Sequence, residues 1–267
     1  MKRLVYGAER GLLPALMALI LALSLMAPSA AASNAAFVPS GAFSSAEISQ
    51  LIATMSPEER GTIGAKWQSG QYAPVAYERI FMPLDSAGRP VTSSATVLPL
   101  TGSTSGHGLY ISVSATYDYQ APAYRWDLDG FWQWTGGTAD SCNQAPDHVS
   151  ISWGGQLGLV NDYAYGYYSD NSAIPTYRGT ANSNGGVDYY FNEWKPGSPL
   201  CTGANWGNLL ATISETRLQN FNSGVDFQYT HTYGTVDVGI SFSFPPAITV
   251  STGSSYWPLA ASTSVTF

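Results

Sequence analysis

Positive charge is scarce in this chain. Charged residues make up 11% of it, against about 25% in an average soluble domain. Past residue 32 only two lysines remain, Lys66 and Lys195. A nucleic-acid partner needs a clustered basic surface and anionic lipid favours polybasic segments, so neither is expected as a partner. Long apolar runs are missing after Met26, so no later segment is expected to cross a membrane as a helix. Cysteine is limited to Cys142 and Cys201, with no CxxC spacing that would suggest a metal or catalytic thiol site. The GxSxG elbow, HExxH helix, phosphate-binding glycine loop and dinucleotide fingerprint are absent. That removes the enzyme classes with local signatures, and with them any organic cofactor, while leaving all-β hydrolases open.

The one long apolar run lies at the start. Lys2, Arg3 and Arg10 flank its N-terminal side, it runs from Leu12 to Met26, and Ala27-Pro28-Ser29-Ala30-Ala31-Ala32 follows. A basic start, a short apolar core and a small-residue tail define a secretory signal peptide, cleaved after residue 32. The core of about 15 residues is shorter than the ~20 of a spanning helix. Residues 33–267 are then a single domain that is secreted or lies in the cell envelope. Losing three cations and one acid with the leader takes the formal net charge from −7 to −9. In that oxidising setting Cys142 and Cys201 are expected to pair. Closing a loop of about 60 residues contributes roughly 4 kcal/mol in the chain-entropy picture.

What the chain does have is Ser, Thr, Asn, Gly and aromatics, the last at 13%. That composition suits strands and turns. Helix is expected only over about 44–66. There Ser44 and Glu47 form a capping box, Ile48, Leu51, Ile52 and Met55 recur at helical spacing, and Ser56-Pro57 starts a second short helix. Beyond Val75 the period is two. Val75–Pro83 and Val91–Leu98 read as a hairpin around Asp85-Ser86-Ala87-Gly88. Leu109, Ile111, Val113 and Ala115 alternate with Ser112, Ser114 and Thr116, and Val149, Ile151 and Trp153 alternate with serines. Val225–Tyr233 and Val236–Phe244 read as a second hairpin around Gly234-Thr235, with Tyr229 opposite Ile240. These patterns predict an all-β fold, a mostly antiparallel β-sandwich with a short N-terminal helical segment.

Chemistry is concentrated in the run from Tyr117 to Trp134. Trp126, Trp132 and Trp134 offer flat apolar faces for sugar rings, and Tyr163, Tyr165 and Tyr167 line one side of a strand as a second platform. Together they predict non-catalytic binding of a glycan or another cell-surface component. The alternative is a glycan hydrolase drawing a carboxyl pair from Asp118, Asp127, Asp129 and Glu193, about 5–5.5 Å apart for retention or about 6.5–9.5 Å for inversion. A structural envelope or surface β-protein is the third reading. Asp127-Leu128-Asp129-Gly130 resembles part of a calcium loop but lacks the distal Glu, and no other metal site is indicated. His107, His148 and His231 are scattered. His231 sits on an apolar strand face, and Asp147 and His148, as strand neighbours, point to opposite sides.

Overall fold

In a computed structural model of the chain, the described residues are 39–85, 88–91, 96–97, 107–121, 124–137, 145–154, 157–183, 185–215, 222–233, 238–243, 247–251 and 256–267. The expected signal peptide, Cys142 and the Gly234-Thr235 turn lie outside them. The expected helical segment is present as α1 (Ser45–Thr54), α2 (Pro57–Glu59), a π-helical turn (Arg60–Gly64) and α3 (Ala65–Gln68). Ser44 and Glu47 form the capping box, each side chain reaching the other's backbone N–H. Ser56 caps α2 by accepting from the Glu59 N–H at 3.1 Å. None of the described helices is long and apolar enough to cross a membrane.

Thirteen strands follow among the described residues. They are β1 (Tyr72–Pro83), β2 (Thr96–Val97), β3 (Gly108–Asp118), β4 (Tyr124–Thr135), β5 (Asp147–Trp153), β6 (Gly158–Tyr168), β7 (Thr176–Asn182), β8 (Gly186–Phe191), β9 (Ala204–Glu215), β10 (Asn222–Thr232), β11 (Gly239–Ser243), β12 (Ala247–Ser251) and β13 (Tyr256–Thr266). A six-stranded sheet runs β2-β1-β3-β4-β9-β6, and a five-stranded sheet runs β13-β10-β5-β8-β7. Every described pairing is antiparallel, which fits the predicted sandwich.

The two sheets meet through their apolar faces. Trp132 stacks on Phe191 at 5.1 Å and 7°, and meets Tyr229 edge-on at 5.4 Å. Gly130 is the point of closest approach. A Cβ there would lie 2.1 Å from the Phe227 ring, so only glycine lets β10 pack this tightly on β4. Trp126 meets Phe267 at 5.0 Å, which places the final aromatic in the core.

The first predicted hairpin is found, with β1 pairing β2 through Ile80↔Val97. The second is not. β10 pairs instead with β13 and β5, setting Tyr229 opposite Leu259 and Val149, while Ile240 pairs with Val250 in a separate two-stranded sheet, β11-β12. Register arithmetic along one alternating run cannot tell a local partner from a distant one with the same period, and here the distant partners win.

Both sheets are also covered on their outer faces. Leu51, Ile52, Met55, Ile63 and Trp67 of the helical segment form one apolar cluster with Tyr77, Tyr110 and Phe131 of the six-stranded sheet. The β11-β12 hairpin lies across the five-stranded sheet, with β12 against β5 and β10, and β11 against β7. Consequently the serine rows of β3 and β5, which alternation alone assigns to water, are buried.

Candidate functional site

Strand β4 decides where the predicted aromatics go. Its residues 126, 128, 130, 132 and 134 share the inner face, so Trp126, Trp132 and Trp134 are 0%, 2% and 3% exposed. The expectation that these indoles form a sugar platform is corrected: they fill the interior between the sheets, and the Trp134 Nε1–H donates to the Tyr229 hydroxyl at 3.2 Å.

The tyrosines lie on the other side. Tyr163, Tyr165 and Tyr167 share the outer face of edge strand β6, beyond the helical segment. Tyr163 is 46% exposed and the other two are half-buried. Tyr163 and Tyr165 stack at 6.1 Å and 23°, and Tyr167 lies 4.8 Å from Trp206 of β9. The result is a continuous aromatic strip of four rings, three from β6 and one from β9. Partial burial holds the Tyr163 and Tyr165 hydroxyls above the usual phenol range, so these two rings keep their hydroxyl protons at physiological pH.

Asp127 and Asp129 adjoin this strip, because β9 brings Leu210 between Asp129 and Tyr163 in one cross-strand row. Lys66 of α3 reaches both carboxylates, 2.6 Å from Asp127 Oδ2 and 2.9 Å from Asp129 Oδ2. Thr212 donates to Asp127 at 2.8 Å. Burial raises the Asp129 carboxyl above its ordinary range, and Lys66 partly offsets this. For Lys66 itself burial works against the charge, but the two carboxylates outweigh it and hold the ammonium charged.

This geometry does not suit hydrolysis. The ammonium fills the space between the carboxylates that a glycosidic oxygen needs, and both acids are buried. Asp118 instead accepts from the Gln120 N–H at 2.8 Å in the turn after β3. The calcium-loop reading is corrected too, since Asp127–Gly130 is extended strand, paired on both sides by β3 and β9.

The fourth candidate acid, Glu193, belongs to a group that sequence reasoning did not assemble. Asp147, Glu193 and His231 are all buried, with one donor atom from each within 4.8 Å of the others. His231 Nδ1 lies 3.2 Å from Asp147 and 3.9 Å from Glu193. The composition could serve a divalent metal. Asp147, however, already accepts from the Tyr229 hydroxyl at 2.5 Å and the Thr232 N–H at 2.8 Å. Through Asp147 the set forms a buried hydrogen-bonded link between β5 and β10, with the Glu193 carboxylate lying beside His231. A signal for it did exist: Asp147 is in phase with Val149, Ile151 and Trp153, and His231 with Val225, Phe227 and Tyr229. Trp134 packs on His231 at 5.4 Å and, with Trp194 and Asn205, lines a cavity of about 280 Å³. As the sequence implies, His148 faces away from Asp147 and pairs with Asp188 at 3.0 Å.

No protein-family model matches the chain, and no curated protein matches it. Solved structures give distant likenesses only. One is titled "Pore forming protein", with 8% identity and a TM-score of 0.33 over 72% of this chain and 91% of that one. A second is the Clostridium perfringens NetB toxin in its membrane-inserted form, with 8% identity and a TM-score of 0.32 over 62% of this chain and 93% of that one. A third is the C-terminal domain of the Streptococcus agalactiae AgI/II polypeptide BspA, with 7% identity and a TM-score of 0.29 over 57% and 56%. No reading of this chain rests on likenesses so remote.

Proposed function

We propose that the protein is a non-catalytic binding protein, exported by its signal peptide and acting outside the cell or at its envelope on a glycan or another surface component. The observation that carries this reading is the aromatic strip of Tyr163, Tyr165, Tyr167 and Trp206, left open beside the helical segment. Tyrosine offers contact area at low conformational cost, and a hydroxyl at its rim for hydrogen bonding. The neighbouring acids are buried and bridged by Lys66, so the strip itself presents flat apolar faces and hydroxyls.

Part of this proposal is the Cys142–Cys201 bridge. Cys201 carries no free thiol, while Cys142 lies outside the described residues. Peptide mapping of the secreted protein without reductant is expected to recover the two cysteines in one linked peptide, and two alkylated thiols would remove the bridge.

Binding is tested by incubating the protein with insoluble polysaccharides and cell walls, measuring protein depletion and sugar release in the same tube. Depletion without release is expected, reduced at least tenfold by Tyr163→Ala with Tyr165→Ala while the unfolding transition is retained. Sugar release would move the hydrolase reading forward. No depletion on any substrate would remove the glycan reading.

A further inference from the structure

Three chain segments bring one imidazole and two carboxylates together at one end of the five-stranded sheet. Asp147 opens β5 opposite Phe191 of β8, Glu193 stands two residues beyond Phe191, and His231 pairs with Trp257 near the end of β10. Asp147, Glu193 and His231 are 0%, 2% and 1% exposed. Backbone bonding fixes all three. The Glu193 carbonyl accepts from the Ala204 N–H at 2.7 Å, and Trp194 bridges to Gly203 just beyond it. The His231 ring is packed between indoles, 5.0 Å from Trp257 and 5.4 Å from Trp134.

The spacing of the donor atoms suits ligands around a common ion. His231 Nδ1 lies 3.2 Å from Asp147 Oδ2 and 3.9 Å from Glu193 Oε2, and one donor atom from each residue lies within 4.8 Å of the other two. Bonds of about 2.0–2.2 Å at tetrahedral angles set neighbouring ligand atoms about 3.3–3.6 Å apart, and the two imidazole distances bracket that value. The hydrogen bonds to Asp147 do not compete for the position. The Thr232 N–H donates to Oδ1, while Oδ2 accepts from the Tyr229 hydroxyl and keeps a second lone pair. Tyr229 is held in turn by the Trp134 Nε1–H at 3.2 Å. Outer bonds of this kind orient a carboxylate for ligation. Ionised together, the two buried carboxylates carry more negative charge than one imidazolium balances, whereas a divalent ion balances both.

We propose that Asp147, Glu193 and His231 bind a zinc ion that clamps β5, β10 and the segment after β8. One imidazole nitrogen and two carboxylate oxygens are a donor set that zinc accepts. Calcium takes about 6–8 oxygen ligands, more than these residues offer beside the indoles of Trp134 and Trp257. The ion takes the place of the Nδ1 proton, which leaves to solvent, so zinc replaces the contact between Nδ1 and Asp147 with a shared bond. Water completes the fourth position. The cavity of about 280 Å³ reaches this side of the fold, since its lining includes Trp134, which packs on His231, and Trp194, which follows Glu193 in the chain. This inference does not rest on the glycan reading.

The test titrates zinc chloride into the purified protein, without reductant, after dialysis against a chelator. About one zinc per chain is expected to remain bound through gel filtration, and the thermal unfolding midpoint should rise with zinc and fall back with chelator. Cobalt(II) in place of zinc should give the visible absorption of a four-coordinate nitrogen and oxygen site. Glu193→Gln keeps the size of the side chain and leaves the bonds from Tyr229 and Thr232 to Asp147 in place. It is expected to retain the metal-free unfolding transition while zinc affinity falls at least tenfold. His107→Asn and Tyr163→Ala, both remote from the three ligands, should bind zinc like the native chain. No zinc retained by the native protein, equal affinity in Glu193→Gln, or binding lost in His107→Asn would each overturn the proposal. So would a cobalt spectrum with thiolate charge-transfer bands, because the metal is then held by cysteine.

Discussion

The helical segment and the β11-β12 hairpin do the same job on opposite faces of the sandwich, and they are built differently. Each covers a sheet face rich in serine and threonine. The helical cover brings polar anchors matched to that face. Glu59 is fully buried and accepts from the hydroxyls of Tyr77 at 2.7 Å, Tyr110 and Ser112. Arg79 donates back to the Thr54 carbonyl at 2.9 Å, the Trp67 Nε1–H donates to Thr116 at 3.2 Å, and Lys66 bridges Asp127 and Asp129. The hairpin brings Ile240, Phe242, Ile248 and Val250 to its sheet. Matched polar contacts in a low-dielectric site are costly to break one at a time, while an apolar flap over hydroxyls leaves little unsatisfied when it departs. One cover is tied to its sheet by polar contacts, and the other rests on its sheet through apolar side chains.

The most direct way to break that contrast is at Glu59. Glu59→Ala leaves the buried hydroxyls of Tyr77, Tyr110 and Ser112 without their carboxylate acceptor, and each orphaned group costs about 1–3 kcal/mol. A loss of about 4 kcal/mol in urea unfolding is expected. A loss under about 1 kcal/mol, the scale of an exposed pair, would mean the helical cover is as loosely held as the hairpin. Lys66→Met comes next. It strips the cation from two buried carboxylates, and breaking a buried pair on one side costs about 3–5 kcal/mol. The expected loss is nearer 3, because a protonated Asp129 can still hydrogen-bond. An Asp127→Asn variant in the Lys66→Met background should recover part of the loss.

Reading alternation from the sequence was enough for the sandwich and for the capped helical segment, since both depend on local periodicity. It was not enough for the covers. Ser112, Ser114, Ser150 and Ser152 carry the pattern of a solvated sheet face, and nothing within a strand says that a distant segment will lie over it. The same limit moved the site. Trp126, Trp132 and Trp134 were legible as an aromatic group, but β4 turns them inward, whereas Tyr163, Tyr165 and Tyr167 were in phase on an edge strand and stayed outside. Lys66 was visible as one of only two lysines past residue 32. Its partners are 61 and 63 positions away in numbering, and no local pattern announces such a pair.

The pH dependence of the helical cover gives a finer test. Burial holds the Glu59 carboxyl above its ordinary value of 4.5, with the three hydroxyls and Arg79 opposing. The native state then binds that proton more tightly than the unfolded chain does. Its contribution is full below about pH 4.5 and is lost as pH rises through the native value. Asp129 acts in the same direction. Plotted as the difference in urea midpoint between the native sequence and Glu59→Gln, stability should decline as pH rises above about 4.5. A flat difference would mean Glu59 is not the proton-binding anchor.

The smallest effect is expected at the hairpin. Ile240 is 6% exposed and Ile151, on the inner face of β5, is 0% exposed, so burial alone predicts similar costs for truncating either. Ile151→Ala should cost about 2–5 kcal/mol, as isoleucine truncation does in a closed core. Ile240→Ser should cost under about 1 kcal/mol, since it affects only a local opening and leaves the two main sheets intact. Amide hydrogen exchange separates the two cases. In Ile240→Ser, protection should fall across residues 239–251 while β5 and β10 keep theirs. Equal loss at both isoleucines would show that the hairpin unfolds only with the whole domain, and the contrast between the two covers would be gone.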